Sequence, residues 1–192
     1  MNLNEKKLVV FDIDNTIVST RECVMSSYRA TFDDFFGVKE SARRFPNALL
    51  ETFVEIPLEK KLAENGVPQE DMFKIRTIYN RYNEKFSNLN YPIAETVAKI
   101  QELHKIGAIL CVVTIKQEEP ARRILSQSGV MSLFSGAAFR ESGKTKADML
   151  KGFMDKFGME AKDCAFVGNM PYDKDAALDA GMDYMNVLDI KG

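Results

Sequence analysis

Apolar and polar positions alternate along the chain in two distinct rhythms. Leu8–Phe11 is a continuous apolar run that ends abruptly at Asp12. Ala108–Val113 ends at Thr114, Cys164–Val167 ends at Gly168, and Gly136–Phe139 is a weaker run of the same kind. Short unbroken apolar runs rich in Val and Ile predict buried strands. Asp183–Leu188 predicts a last, edge-like strand. Between these runs, apolar residues recur at helical spacing. Ile93–Ile106 starts after Pro92 and stops at Gly107, and Glu118–Gln127 has Pro120 in its first turn and stops near Gly129. Ala147–Phe157 stops at Gly158, and Pro171–Ala180 stops at Gly181. Proline at the start and glycine past the end mark helix boundaries. Strands alternating with helices of this length predict βαβ units, hence an α/β fold built on a parallel sheet.

Residues 19–92 break that rhythm. Arg21–Phe36, Asn47–Val54, Leu58–Asn65 and Gln69–Leu89 all carry apolar residues at helical spacing, and no comparable strand run interrupts them. Phe32, Phe35, Phe36, Phe45, Phe53 and Phe73 concentrate here and read as a core of their own. The predicted organisation is a core from residues 1–18 and 93–192 with a small helical domain, 19–92, inserted after the first strand.

Composition narrows the function classes. The chain has 192 residues, 45% hydrophobic and 28% charged, which suits one core with a small insert. Its formal net charge of −2 offers no electrostatic footprint for nucleic acid. No apolar run approaches the roughly 20 residues of a membrane span. The N-terminal Met-Asn-Leu-Asn-Glu-Lys-Lys lacks the apolar stretch of a secretory signal, so a cytoplasmic location is expected. Cys23, Cys111 and Cys164 are isolated thiols without the spacing of a disulfide framework or a zinc site. His104 is the one histidine, too few for a two-histidine metal centre.

The chemistry-bearing residues cluster where the predicted strands end. In parallel α/β sheets, ligands bind beyond the carboxyl ends of the strands. Asp12, Asp14 and Thr16 follow the first run, and Thr114 follows the second. Gly168-Asn169-Met-Pro-Tyr-Asp173-Lys-Asp175 follows the fourth, and Lys144 and Lys146 precede a helix. Any one of these has a dull explanation as a cap or a solvated side chain. Together they put carboxylates, a hydroxyl and an ammonium on one sheet edge.

In its order and spacing this set resembles the haloacid dehalogenase-like hydrolases. Phe11-Asp-Ile-Asp-Asn-Thr-Ile17 resembles the family's first motif, Val112-Val-Thr114 its second, and Lys144 or Lys146 its third. Val167-Gly-Asn-Met-Pro-Tyr-Asp-Lys-Asp175 and the Ala-Ala-Leu-Asp-Ala-Gly-Met that follows resemble its fourth. The likeness extends from residue 8 to about 188, and the phosphoglycolate phosphatases with a helical cap are the subgroup it suggests.

The resemblance implies a Rossmann-like sheet core and a magnesium-dependent phosphatase acting on a small phosphorylated metabolite. Asp12 is then the nucleophile that forms an aspartyl-phosphate, and Asp14 the general acid and base. The metal is held by Asp12, the Asp14 carbonyl, Asp173 and Asn169. Thr114 and a lysine hold the phosphoryl oxygens, and Thr16 orders the first loop. Lys146, directly before the Ala147 helix, is preferred because a helix N-terminus also favours an anion; Lys144, after Gly143, is the alternative. The chain departs from the family pattern at Asn169, where an Asp is usual, at Ile115, where Asn is frequent, and at Asn15, which replaces a common Gly. The presence of Asp14 favours phosphate esters over dehalogenation. A sugar-phosphate mutase, or a binding protein with a weakened metal site, are the rival readings. A monomer or a homodimer is expected.

Overall fold

The structure is a computed structural model that describes residues 1–55, 58–141 and 143–190. The chain divides into two units, Met1–Ser19 with Tyr91–Gly192, and Thr20–Asn90.

The first unit is built on five parallel strands in the order β5-β4-β1-β6-β7. They are β1 (Leu8–Phe11), β4 (Ile109–Val113), β5 (Gly136–Ala138), β6 (Cys164–Gly168) and β7 (Asp183–Asn186). β1 lies centrally, with Phe11 in register with Val112 of β4 and Val167 of β6. Successive strand side chains point to opposite faces, so both faces must be covered when every position is apolar. Val9, Phe11, Leu110 and Val112 pack with Ile100 and Leu103 of α6 (Ala94–Lys105) and Ile124 and Leu125 of α7 (Glu118–Gln127). Leu8, Val10, Cys111 and Phe166 pack with Leu150 and Phe153 of α8 (Lys146–Phe157) and Ala176 and Ala177 of α9 (Pro171–Ala180). The predicted Rossmann-like three-layer architecture is present.

The same unit carries a feature that the sequence pattern does not announce. β2 (Val18–Ser19) and β3 (Tyr91–Pro92) form a small antiparallel ribbon, with Ser19 opposite Tyr91. The chain leaves for its insert, and returns from it, at this ribbon.

The second unit is helical, with α1 (Arg21–Phe36), α2 (Val38–Arg44), α3 (Asn47–Glu51), α4 (Leu58–Glu64) and α5 (Gln69–Lys85). Tyr28, Phe32, Phe45, Leu50, Phe53, Leu62 and Ile75 form its core. Phe32, Phe45 and Phe53 are buried as expected, but Phe73 is 81% exposed and does not belong to that core. Among the described residues no helix is long and apolar enough to cross a membrane.

Candidate active site

The site begins where β1 stops. The sheet ladder continues one step past the strand, since the Asp12 N–H donates to the Val167 carbonyl at 2.9 Å. Thr114 is placed in the same way beyond β4, its N–H donating to the Ala138 carbonyl at 3.0 Å. The chain then turns tightly from Ile13 to Val18. Asn15 adopts φ 54, and its N–H donates to the Val18 carbonyl at 2.7 Å. Asparagine tolerates this left-handed backbone better than most residues, which suits it to the place of the usual glycine. Ile13 and Ile17 are buried and anchor the turn in the core, leaving Asp12 and Asp14 at its head.

Two helix starts supply the partners. Thr145 and Asp148 form a reciprocal capping box, in which the Thr145 hydroxyl accepts from the Asp148 N–H and the Asp148 carboxylate accepts from the Thr145 N–H. This box makes Lys146 the first residue of α8. The Lys146 ammonium donates to Asp12 Oδ1 at 2.9 Å and to Asp173 Oδ1 at 2.5 Å, and all three side chains are buried. It also faces the rings of Phe166 and Tyr172, 5.5 and 5.3 Å from their centroids. Lys144 is elsewhere: its ammonium pairs with Glu141 at 2.7 Å on the surface.

Asp173, in the first turn of α9, accepts from the Asn169 N–H at 3.1 Å and the Met170 N–H at 3.0 Å through Oδ2. A Cβ added at Gly168 would meet that carboxylate at 2.6 Å, so the glycine is what lets the acid fold back against the strand end. The Thr16 hydroxyl donates to Asn169 Oδ1 at 3.4 Å, a long contact linking the first loop to the fourth. Thr114 Oγ1 accepts from the Lys116 N–H at 3.2 Å, which leaves the hydroxyl hydrogen available to an incoming oxyanion.

The electrostatics follow from burying this many charges together. Burial pushes the Asp12 carboxyl up to about 7; Lys146 pulls it back, while Asp173 and Asp14 push it further up. Burial also opposes the Lys146 ammonium, but the charges of Asp12 and Asp173 prevail and hold it above the usual lysine range. Burial raises the Tyr172 hydroxyl as well.

One residue at the site escaped the sequence reading. The Lys116 ammonium lies 3.2 Å from Asp14 Oδ1. Its signal in the sequence is a lysine two residues beyond the strand-terminal threonine. Several basic residues of the helical unit are engaged locally. Arg21 pairs with Glu51, Arg43 with Glu40 and Lys61 with Glu64, and Arg44 donates to the Asn65 carbonyl.

A metal could be held by the Asp12 and Asp173 carboxylates, the Asn169 amide oxygen and the Asp14 carbonyl. Among the described residues no three His, Cys, Asp or Glu side chains make a metal cluster by themselves, so such a site needs its amide and main-chain oxygens. An all-oxygen set with few carboxylates fits Mg²⁺, which keeps waters and takes substrate phosphate oxygens as further ligands. The buried Asp14 Oδ1 lacks an aligned hydrogen bond, and the space at Gly168 is filled by a carboxylate rather than a methyl; both mark a site built for polar occupants.

Comparison with known proteins is consistent with this geometry. The model of the haloacid dehalogenase-like hydrolase family matches residues 9–187. Pyrophosphatase PpaX of Halalkalibacterium halodurans is 24% identical over 185 residues, covering 93% of this chain and 81% of its own. The crystal structure of a "predicted phosphoglycolate phosphatase" from Haemophilus somnus superposes with a TM-score of 0.73 at 23% identity, covering 95% of this chain and 88% of its own. Protein tyrosine kinase A of Mycobacterium tuberculosis superposes with a TM-score of 0.78 at 23% identity, covering 95% and 83%. One fold thus carries differently named activities, and the choice among them rests on site residues.

Proposed function

The chain belongs to the haloacid dehalogenase-like hydrolase family as a phosphoric monoester hydrolase, and from that premise we propose that it dephosphorylates a small cytoplasmic metabolite through an aspartyl-phosphate. The observation that carries this reading is the buried Lys146 ammonium bridging Asp12 and Asp173 at the head of the central strand.

Phosphate monoesters repel nucleophiles because they are already anionic. A site that cleaves them needs a placed nucleophile, a fixed positive field and an acid for the leaving oxygen. Asp12 is the nucleophile: its carboxylate oxygen bonds to phosphorus while the ester P–O bond breaks. Asp14 gives its proton to the leaving oxygen, then takes one from the water that attacks the aspartyl-phosphate. Phosphate departs and Asp12 is restored. Lys146 and the Thr114 hydroxyl hold the phosphoryl oxygens, as charge-assisted and neutral donors respectively. Lys144, held at the surface by Glu141, has no part. Asp12, Asp173, Asn169 and the Asp14 carbonyl would hold Mg²⁺, whose charge would offset that of the phosphoryl group. Thr16 orders the Asn169 side chain.

The test is phosphate release from a panel of small phosphate esters, with and without Mg²⁺, and with Asp12→Asn as control. Release that requires both the metal and Asp12 is expected. A folded wild-type protein that releases phosphate from no ester, or an Asp12→Asn variant as active as wild type, would overturn the reading.

A further inference from the structure

Lys116 has no place in the four motifs, yet its surroundings are well defined. It stands in the turn after β4, with its main chain fixed on both sides. Its N–H donates to the Thr114 hydroxyl at 3.2 Å, and its carbonyl accepts from the Arg140 N–H at 2.9 Å. Its ammonium lies 3.2 Å from Asp14 Oδ1, and its side chain is only 21% exposed. That oxygen is itself buried and makes no aligned hydrogen bond.

A buried carboxyl oxygen without a hydrogen-bond partner is costly unless a charged or polar group stands beside it. Lys116 stands beside Asp14 Oδ1, which leaves the acid's proton to its other oxygen. Lys146 serves the other two carboxylates, Asp12 and Asp173. The two ammonium groups therefore divide the three acids between them, and they sit on separate elements. On the phosphatase reading above, we propose that Lys116 is a positioning residue that holds the Asp14 carboxyl in the orientation from which it protonates the leaving oxygen. The proton passed is that of Asp14; the ammonium keeps its own. Lys116 acts through Asp14 and leaves the phosphoryl group to Lys146 and Thr114.

The leaving group makes this testable. An alkoxide departs from phosphorus only with a proton, whereas nitrophenolate departs without one. We compare kcat/KM of wild type and Lys116→Met for an alkyl phosphate and for p-nitrophenyl phosphate. The loss for the alkyl ester is expected to exceed that for the aryl ester by about tenfold or more. Equal losses for both esters, or no loss for either, would overturn the proposal. A crystal structure of Lys116→Met gives an answer independent of turnover: an Asp14 carboxyl turned away from its wild-type orientation supports the assignment, and an unmoved one refutes it. Failure of the phosphatase reading looks different, because wild type itself would then be inert toward every ester while the Asp14 orientation in the variant still decides the role of Lys116.

Discussion

The Nζ of Lys146 lies 2.5 Å from Oδ1 of Asp173, and the aspartate is completely buried. The pair is a structural necessity as well as a piece of chemistry, because neither charge has access to bulk water.

Removing the cation should therefore unfold the protein more readily as well as inactivate it. Lys146→Met leaves Asp12 and Asp173 buried without their partner. Breaking a buried pair in this way costs about 3–5 kcal/mol. Urea unfolding should show a loss of that order, together with loss of phosphate release. A variant within about 1 kcal/mol of wild type would show that the two buried acids do not need their cation.

Gly168→Ala tests the close approach of Asp173. The new methyl would need the place of the carboxylate, whose Cβ and Oδ2 both lie 2.6 Å from it. Overpacking of this kind costs about 1–3 kcal/mol. The variant should be less stable by that amount and bind Mg²⁺ more weakly, read by thermal unfolding and calorimetry. Wild-type behaviour in both would show that the carboxylate has room to spare.

The raised Asp12 carboxyl predicts a pH dependence with a definite sign. Its ordinary value is 3.8 and burial pushes it up to about 7. An acid raised in the folded state contributes stability while protonated, and that contribution is lost as pH rises from the unfolded value through the folded one. The metal-free protein should thus lose stability between about pH 4 and about pH 7 on account of this group. Mg²⁺ needs the carboxylate ionised, so its stabilising effect should be larger near pH 8 than near pH 6. Melting temperatures measured with and without Mg²⁺ at both values would show it. An equal shift at both pH values would refute the coupling.

Asn169→Asp adds a charge to the donor set without changing its shape. An aspartate oxygen can still accept from Thr16, as the amide oxygen does. Mg²⁺ affinity should rise by about tenfold, since ligand charge governs the binding of hard cations. Calorimetry returning an unchanged Kd would remove Asn169 from the ligand set.

The sheet was legible because parallel strands are apolar on both faces, and in β1, β4 and β6 the apolar run stops where the chemistry starts. The helices flanking it carry Gly and Pro at their ends, so their limits were within a few residues. What stayed hidden has physical causes. α2, Val38–Arg44, buries only Ser41 and shows no apolar stripe. β2 and β3 have two residues each, too few for any pattern to appear. The helix start favours Lys146 over Lys144 in the sequence, but the capping box and the inward turn of the Lys146 side chain belong to the structure alone. Lys116 depended on a turn conformation, which no periodicity encodes. Phe73 is exposed because the apolar face of α5 is set by Met72 and Ile75, which point the other way.

The two-residue ribbon has a consequence for how such a molecule changes over generations. Ser19 and Tyr91 are register partners, and antiparallel partners stand only about 5 Å apart. Whatever is spliced between them starts and finishes at one doorway, so the length of the insert adds little to the entropy of closing it. The ribbon is a socket, into which a longer, shorter or differently shaped piece can be plugged while Asp12, a few residues upstream, keeps its place.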